Sequence, residues 1–460
     1  MAIVKTLSLC VCALMVISAE FLCSAVTQPD SEDAAFVVAR RAHVHEGSGE
    51  LGVKIPSQIW DMFDFAASGD WVSASNVFFR IETASPGQSM PLIDILPPEI
   101  QYPVQETGAY CRLLASEDPK YVHLFADEII KVIPPGSLFF GGTDPGRFVV
   151  TARADSSGKA TGFFILTQNQ LISSNYLKYV DRTFGKQIRL PGSDDINSAI
   201  QTYRNDVTRR FHHDRAFPNE SKRLLPGEEV TVENGHLHIT GETAAMAING
   251  LLVEQIINMN TNRDIFLEEG LAIDALYPKM TPLGPIFRVS RHAVDSLQRQ
   301  GVLKNREYWL ALLERLIGCK FSNNTSTKEA LDFIGKLRNS RQAVGGELDF
   351  VNDENARKTF SKLRGSIANL YAWRARHAKS ALERAEMDEE ARLAFMEAFV
   401  LYPGDPEIVS RFTGFLIYEN RVNEAEIVAE TAFKLSAQNH YIEEILKYTQ
   451  TIQKAEKSSQ

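Results

Sequence analysis

The chain has 460 residues, of which 44% are hydrophobic and 23% charged, so it is long enough for two or three domains with a sizeable core. Its formal net charge of −9 and the lack of any long basic run exclude nucleic acid as a main partner, because phosphates are bound by basic surfaces. Beyond the N-terminal segment, no apolar stretch is long enough to predict a membrane span.

Residues 1–25 have the features of a secretion signal. Lys5 precedes an apolar run from Leu7 to Ala19, which is short for a membrane span, and Cys23-Ser24-Ala25 offers small residues for cleavage. We therefore predict that the protein is periplasmic or secreted. An uncleaved segment that anchors the chain to the membrane is the alternative.

Only Cys111 and Cys319 remain beyond the signal segment. Export permits a disulfide between them, but the sequence does not show that they are close in space. We expect two buried thiols.

Two His-x-His pairs, His43 with His45 and His236 with His238, are the only candidate metal ligands that the pattern suggests. Neither pair has a carboxylate or cysteine at a characteristic spacing. The sequence therefore predicts no metal and no cofactor.

Residues 26–104 are predicted to form a leader and a helical hairpin. The polar stretch up to Lys54 is expected to be loose, with one short helix. Apolar residues then recur at helical spacing on both sides of a turn at Gly69-Asp70-Trp71, namely Ile59, Trp60, Phe63 and Ala66 before it and Val72, Val77, Phe78 and Ile81 after it. The proline-rich segment from Pro86 to Pro103 is expected to be extended.

Residues 105–290 alternate between helical and strand patterns, which predicts an α/β domain with a mainly parallel sheet. The predicted strands are apolar runs at 138–140, 162–167, 264–267 and 286–289. Predicted helices cover about 105–132, 175–184, a stretch from Ser193, and 242–259, and a β-hairpin is expected to turn at Asn234-Gly235.

The sharpest candidate site follows the first strand, which stops at Gly141-Gly142 before Thr143-Asp144-Pro145 opens a helix. Ligands of open parallel sheets bind beyond the carboxyl ends of the strands. We therefore predict ligand contacts, with a glycan as one candidate, at Gly141, Gly142, Thr143, Asp144 and Asn169. Asp144 also fits the structural role of a helix N-cap, because Pro145 follows it, and we favour that interpretation of its side chain.

Three acidic residues are candidates for catalysis: Asp144, and Glu268 or Glu269 after the strand at 264–267. Paired carboxylates of this kind perform acid–base chemistry on sugars. The sequence contains no Gly-x-Ser-x-Gly, His-Glu-x-x-His or Gly-Lys-Ser/Thr motif. We expect a binding protein, and the alternative is a glycosyltransferase-like or hydrolytic enzyme.

The remainder of the chain has helical patterns, interrupted by loops near Asn323 and Gly345. Residues 291–350 are predicted to be a helical connector, and residues 351–460 a tetratricopeptide-like region. The evidence is a set of positions that recurs after 34 residues: Ala391, Phe395, Ala398, Phe399 and Leu401 return as Ala425, Ala429, Ala432, Phe433 and Leu435. Such repeats predict a protein partner, and a helical brace for the α/β domain is the alternative.

Three stretches, 138–150, 163–175 and 248–289, resemble the extracytoplasmic region of a domain-of-unknown-function family of bacterial multi-span membrane proteins that are regarded as glycosyltransferase-like. The run Leu-Phe-Phe-Gly-Gly-Thr-Asp-Pro-Gly-Arg-Phe is similar to that family's strand ending in an Asp-rich turn before an aromatic helix. Leu166-Thr167-Gln168-Asn169 resembles its second strand, and Arg263-Asp264 its passage from helix to strand.

This resemblance covers about residues 55–440, and some relatives look as though they end in tetratricopeptide repeats. The relatives' membrane spans, which are expected to hold the sugar-transfer chemistry, have no counterpart here, and the turn at 141–144 carries one acid where the family pattern has two. The resemblance therefore implies an accessory role in envelope glycosylation or assembly.

Overall fold

The computed structural model describes residues 31–84, 89–156, 162–225, 227–233, 236–268, 275–339, 345–436 and 438–459. The predicted signal segment, the hairpin turn at Asn234-Gly235 and Glu269 lie outside the described residues. The chain forms two compact units, and each is built from two separate segments. Unit 1 comprises Met1–Gly108 and Phe164–Arg263, and unit 2 comprises Ala109–Phe163 and Asp264–Gln460.

Helices make up most of the described chain. They are α1 Ser31–Leu51, α2 Ser57–Ala67, α3 Trp71–Glu82, α4 Pro98–Ser116, α5 Pro119–Ile130, α6 Val150–Ser156, α7 Ser174–Phe184, α8 Ser193–Ala216, α9 Glu242–Met259, α10 Arg299–Ile317, α11 Thr327–Asn339, α12 Leu348–Asn352, α13 Glu354–Arg376, α14 Ala381–Leu401, α15 Pro406–Tyr418, α16 Val422–Leu435 and α17 His440–Ser459. Within the described residues, none of the helices combines the length and apolar character needed to cross a bilayer.

The strands are short. They are β1 Leu138–Gly141, β2 Phe164–Thr167, β3 Glu229–Glu233, β4 His236–Thr240, β5 Ile265–Leu267, β6 Met280–Leu283 and β7 Ile286–Val289. All four predicted strands and the predicted hairpin, β3 with β4, are present within about two residues of the expected positions.

The N-terminal part of unit 1 contains the predicted helical hairpin, formed by α2 and α3. Asp70 caps α3, since its carboxylate accepts a hydrogen bond from Ser73 N (3.0 Å). The loose leader predicted before it is wrong, because α1 is a continuous helix of 21 residues. In a helix, residues two positions apart point in different directions, so His43 and His45 do not share the face that an extended chain would give them.

The proline-rich segment is also more helical than predicted. α4 begins at Pro98, a residue that is well tolerated in the first turn of a helix, and it continues through Pro103. The single helix expected over 105–132 is two helices. The break lies at Asp118, which caps α5 by accepting a hydrogen bond from Lys120 N (2.9 Å).

The sheet of unit 2 is mixed. Its strands lie side by side in the order β1-β5-β7-β6, and the expected parallel pairing is present between β1 and β5, where Phe139 faces Phe266. β7 runs antiparallel to both β5 and β6. β6 is not among the predicted strands, because it contains Pro282, a residue that strands accept mainly at a sheet edge, where β6 lies. Gly284, with φ +57°, forms the tight turn into β7.

Strands followed by an all-helical C-terminal region are therefore confirmed as the coarse architecture. The 34-residue spacing of the sequence also recurs in the helix limits: α14 and α16 end at Leu401 and Leu435, and α15 and α17 begin at Pro406 and His440. The assignment of these helices to tetratricopeptide repeats stays a prediction.

Cys111 and Cys319 are both buried thiols of unit 2, as expected. Burial raises the pKa of the Cys319 thiol well above its usual range. The side chain is therefore a neutral, unreactive part of the core.

Candidate functional site

The predicted site after β1 is organised by Glu268, the residue that follows β5. Its Oε2 accepts hydrogen bonds from Gly142 N (2.8 Å) and Thr143 N (3.0 Å), and its Oε1 accepts one from Thr143 Oγ1 (2.5 Å). Successive backbone N–H groups of a turn form a natural anion-binding position. In this protein the anion is supplied by the chain itself.

Two glycines make room for this arrangement. A Cβ on residue 146 would lie 1.6 Å from Glu268 Oε2, and a Cβ on residue 141 would lie 2.4 Å from the carbonyl oxygen of Gly146. Neither glycine has a positive φ angle. The requirement for glycine at Gly141 and Gly146 is therefore steric, since backbone and carboxylate approach too closely for any side chain.

The helix after β1 is capped by Thr143. Its Oγ1 accepts a hydrogen bond from Gly146 N (3.1 Å), and its carbonyl oxygen accepts one from Arg147 N (2.9 Å). The first turn, Pro145–Val149, is a wide π-helical turn that continues into α6.

The predicted cap by Asp144 is wrong, because its φ and ψ of −60° and −45° are already helical and its side chain makes no capping hydrogen bond. Its carboxylate forms an ion pair with Arg147 instead. The Asp144 side chain is 59% exposed, whereas the Arg147 side chain is 7% exposed and lies against the Phe148 ring. The two predicted carboxylates thus have different environments, one in solvent and one in the core.

Burial raises the pKa of Glu268, whose residue is only 1% exposed, while the hydrogen bonds from Thr143 and Gly142 act in the opposite direction. The backbone N–H groups of Gly142 and Thr143 are donors only. The Thr143 hydroxyl is also a donor to Glu268, because its oxygen already accepts from Gly146 N. This set of three donors is satisfied by an ionised carboxylate, which the buried position disfavours.

Asn169 belongs to unit 1, where its carbonyl oxygen accepts a hydrogen bond from Asn249 Nδ2 (3.4 Å). Asn249 is 1% exposed, and its Oδ1 accepts from Ile172 N (3.0 Å), so it fastens the turn after β2 to α9. Glu269 lies outside the described residues.

The arrangement in unit 2 has two chemical capabilities. A buried carboxylate with a raised pKa can hold or transfer a proton, and the exposed Asp144 can accept a hydrogen bond from a hydroxyl group. The sequence identified Glu268 as a candidate but not its contact with the turn, 125 residues away. The available signal was an acid that directly follows a buried strand.

Comparisons of the chain with protein-family models, with curated proteins and with solved structures gave no match.

Proposed function

We propose that this protein is an exported, non-enzymatic accessory protein that binds a protein partner through α13–α17, in an envelope glycosylation or assembly system. The observation that supports this most is the role of Glu268. Its carboxylate is engaged by Gly142 and Thr143 and fixes the turn after β1. A carboxylate held in this way positions the backbone, and a reaction would have to break those contacts.

Asp144 supports the same proposal. Glycoside cleavage by paired carboxylates needs both groups to flank the scissile bond at about 5–10 Å from each other. Here Asp144 is ion-paired with Arg147 at the surface, and Glu268 is almost fully buried. Asp144 stays a candidate contact for a sugar hydroxyl, together with the predicted ligand contacts around it.

The C-terminal helices are proposed as the docking region because their limits recur at the spacing of the sequence repeat. Stacked helix pairs present extended surfaces on which proteins bind. Export rests on the signal pattern of residues 1–25.

A glycosyltransferase-like or hydrolytic enzyme is the second candidate, and one observation favours it. Burial raises the pKa of Glu268, which is how enzymes keep a carboxylic acid protonated for use as a general acid.

The two candidates are separated by one pair of measurements on the full chain and on Glu268→Gln. The first is release or transfer of sugar from sugar nucleotides and envelope glycans, and the second is cross-linking to proteins of an envelope fraction. The accessory role predicts no turnover and the same saturable cross-linked partner for both proteins. Turnover by the wild type that Glu268→Gln abolishes would establish the enzyme instead.

A further inference from the structure

We infer that α15 and α17 together present a docking surface for an acidic segment of a partner protein. We call this surface the tyrosine face and define it by Gly414, Tyr418, Tyr441 and Tyr448. The inference rests on the proposed function and adds the location of the surface and the chemistry of its partner.

The two helices expose corresponding positions. α15 exposes Glu407, Gly414 and Tyr418, and α17 exposes Tyr441 and Tyr448, which follow Glu407 and Gly414 by the repeat spacing. α15 and α17 also pack against each other. The same exposed positions on two packed helices that are one repeat apart place these side chains on one side of the pair.

The three tyrosines are unusually exposed for large aromatic residues: Tyr418 by 46%, Tyr441 by 65% and Tyr448 by 62%. Tyrosine combines a rigid apolar ring with a polar hydroxyl and is enriched at protein interfaces for that reason. Tyr441 and Tyr448 lie two turns apart, so their rings can contact successive side chains of one bound segment.

Gly414 lies inside α15, where glycine is a weaker helix former than alanine. A Cβ at this position would have no atom within 4 Å, and its φ is not positive. Neither packing nor backbone conformation therefore requires glycine there. Its effect is to leave, beside Tyr418, an open surface without a side chain, which a partner's backbone can approach closely.

The charges around Tyr418 indicate the partner's chemistry. Arg376 Cζ lies 5.8 Å from the centre of the Tyr418 ring, and Arg384 Nη2 donates to the Tyr418 hydroxyl at 3.4 Å. Both arginines are exposed, and neither forms an ion pair with a carboxylate of the described residues.

The acidic groups near this surface are already engaged. Glu407 pairs with Arg411 (2.7 Å) on α15, and Glu443 pairs with Lys447 (2.6 Å) on α17, where Glu444 also lies beside His440 (3.1 Å). Asp388 interacts electrostatically with Arg384, but its side chain is hydrogen-bonded to Glu419. Burial and Glu419 raise the pKa of Asp388 to about 6. Two guanidinium groups around one exposed tyrosine complement a carboxylate.

The test measures fluorescence anisotropy of two labelled 12-residue peptides with the full chain. One peptide alternates Asp and Leu, and the other alternates Lys and Leu, so the apolar content is equal. We expect the acidic peptide to bind at least 10-fold more tightly. The double variant Arg376→Gln/Arg384→Gln is expected to remove that preference, and added salt to reduce it.

Gly414→Leu places a side chain on the open surface beside Tyr418 and is expected to weaken binding of the acidic peptide at least 10-fold. The matched control is Gly335→Leu, because Gly335 is also helical with no atom within 4 Å of a Cβ. Equal binding of the two peptides, equal binding by Gly414→Leu and wild type, or self-association of the chain through this face would overturn the inference. Envelope cross-linking that persists in Gly414→Leu would refute the tyrosine face and leave the accessory role intact. A wild-type chain that cross-links to no envelope protein, while its preference for the acidic peptide is retained, would refute the accessory role and leave the tyrosine face intact.

Discussion

Gly146→Ala tests the arrangement around Glu268 directly. The added Cβ would lie 1.6 Å from Glu268 Oε2 and 2.3 Å from its carboxyl carbon, so the carboxylate must leave the turn. Backbone adjustment offers little relief, because Gly146 is itself in contact with Gly141 on the other side. We expect Gly146→Ala to destabilise unit 2.

The cost follows from the three hydrogen bonds that Glu268 accepts from Gly142 and Thr143. A hydrogen bond to a charged group contributes about 1.5–3 kcal/mol, and water can replace part of that at the half-buried turn. The expected loss in free energy of unfolding is on the order of 3–5 kcal/mol.

Urea denaturation of the full chain, followed by circular dichroism, measures this loss. Gly414→Ala is the matched control, since its Cβ enters open space; the helix should gain up to about 1 kcal/mol. In a Glu268→Ala background, Gly146→Ala should lower the free energy of unfolding much less, because the carboxylate that clashes with the added Cβ is absent. The steric explanation is refuted if the cost is the same in both backgrounds, or if Gly146→Ala alone costs less than roughly 1 kcal/mol.

Three further predictions concern other parts of unit 2. Burial and the neighbouring Asp353 raise the pKa of Glu117 to about 8, so the folded state holds the proton of this carboxyl group more tightly than the unfolded state does. Protonation of Glu117 therefore stabilises the fold fully below about pH 4.5, and this stabilisation is lost as the pH rises towards 8. Glu117→Gln should therefore raise the thermal midpoint at pH 9 relative to wild type but not at pH 4, and an equal shift at both would contradict it. Arg364→Met should lower the free energy of unfolding, measured by urea titration, by about 3–5 kcal/mol, because it leaves Glu397 buried without its partner at 2.7 Å. Adding Glu397→Leu should recover most of that loss. No recovery would mean that the loss comes from packing. Asn420→Gly should raise the free energy of unfolding by about 0.5 kcal/mol, because residue 420 has φ +57°, a conformation that glycine adopts more readily. A measured loss would show that the asparagine side chain stabilises the turn.

Local patterns predicted those parts of the fold that local forces determine. The α2–α3 hairpin has a capping aspartate and apolar residues at helical spacing, and α9 and β7 were predicted with the limits that the structure has. α1 was missed because its apolar residues are too scattered to mark one face of a helix. β6 was missed because Pro282 argues against a strand anywhere except at an edge.

The site shows the same division between local and distant interactions. Gly141 and Asp144 suggested a tight strand-to-helix turn from their immediate neighbours, and the turn is there. Thr143 is the cap because its hydroxyl, which donates to Glu268, accepts the hydrogen bond from Gly146 N that a capping Asp144 would otherwise have accepted. The position of Glu268 directly after a buried strand marked it as a candidate, but hydrogen bonds between residues so far apart in sequence leave no local pattern from which they could be predicted.

The composition of unit 2 from two separate segments affects how the protein can be cut. β5 lies between β1 and β7, and β1 comes from the earlier segment. A fragment that starts at Asp264 would keep β5 but lose its parallel neighbour, so a row of main-chain donors and acceptors beside Phe266 would face water. Such an open edge pairs readily with other chains. Dissection of this protein by N-terminal truncation is therefore prone to yield aggregates, and an intact chain with point substitutions is the sounder route.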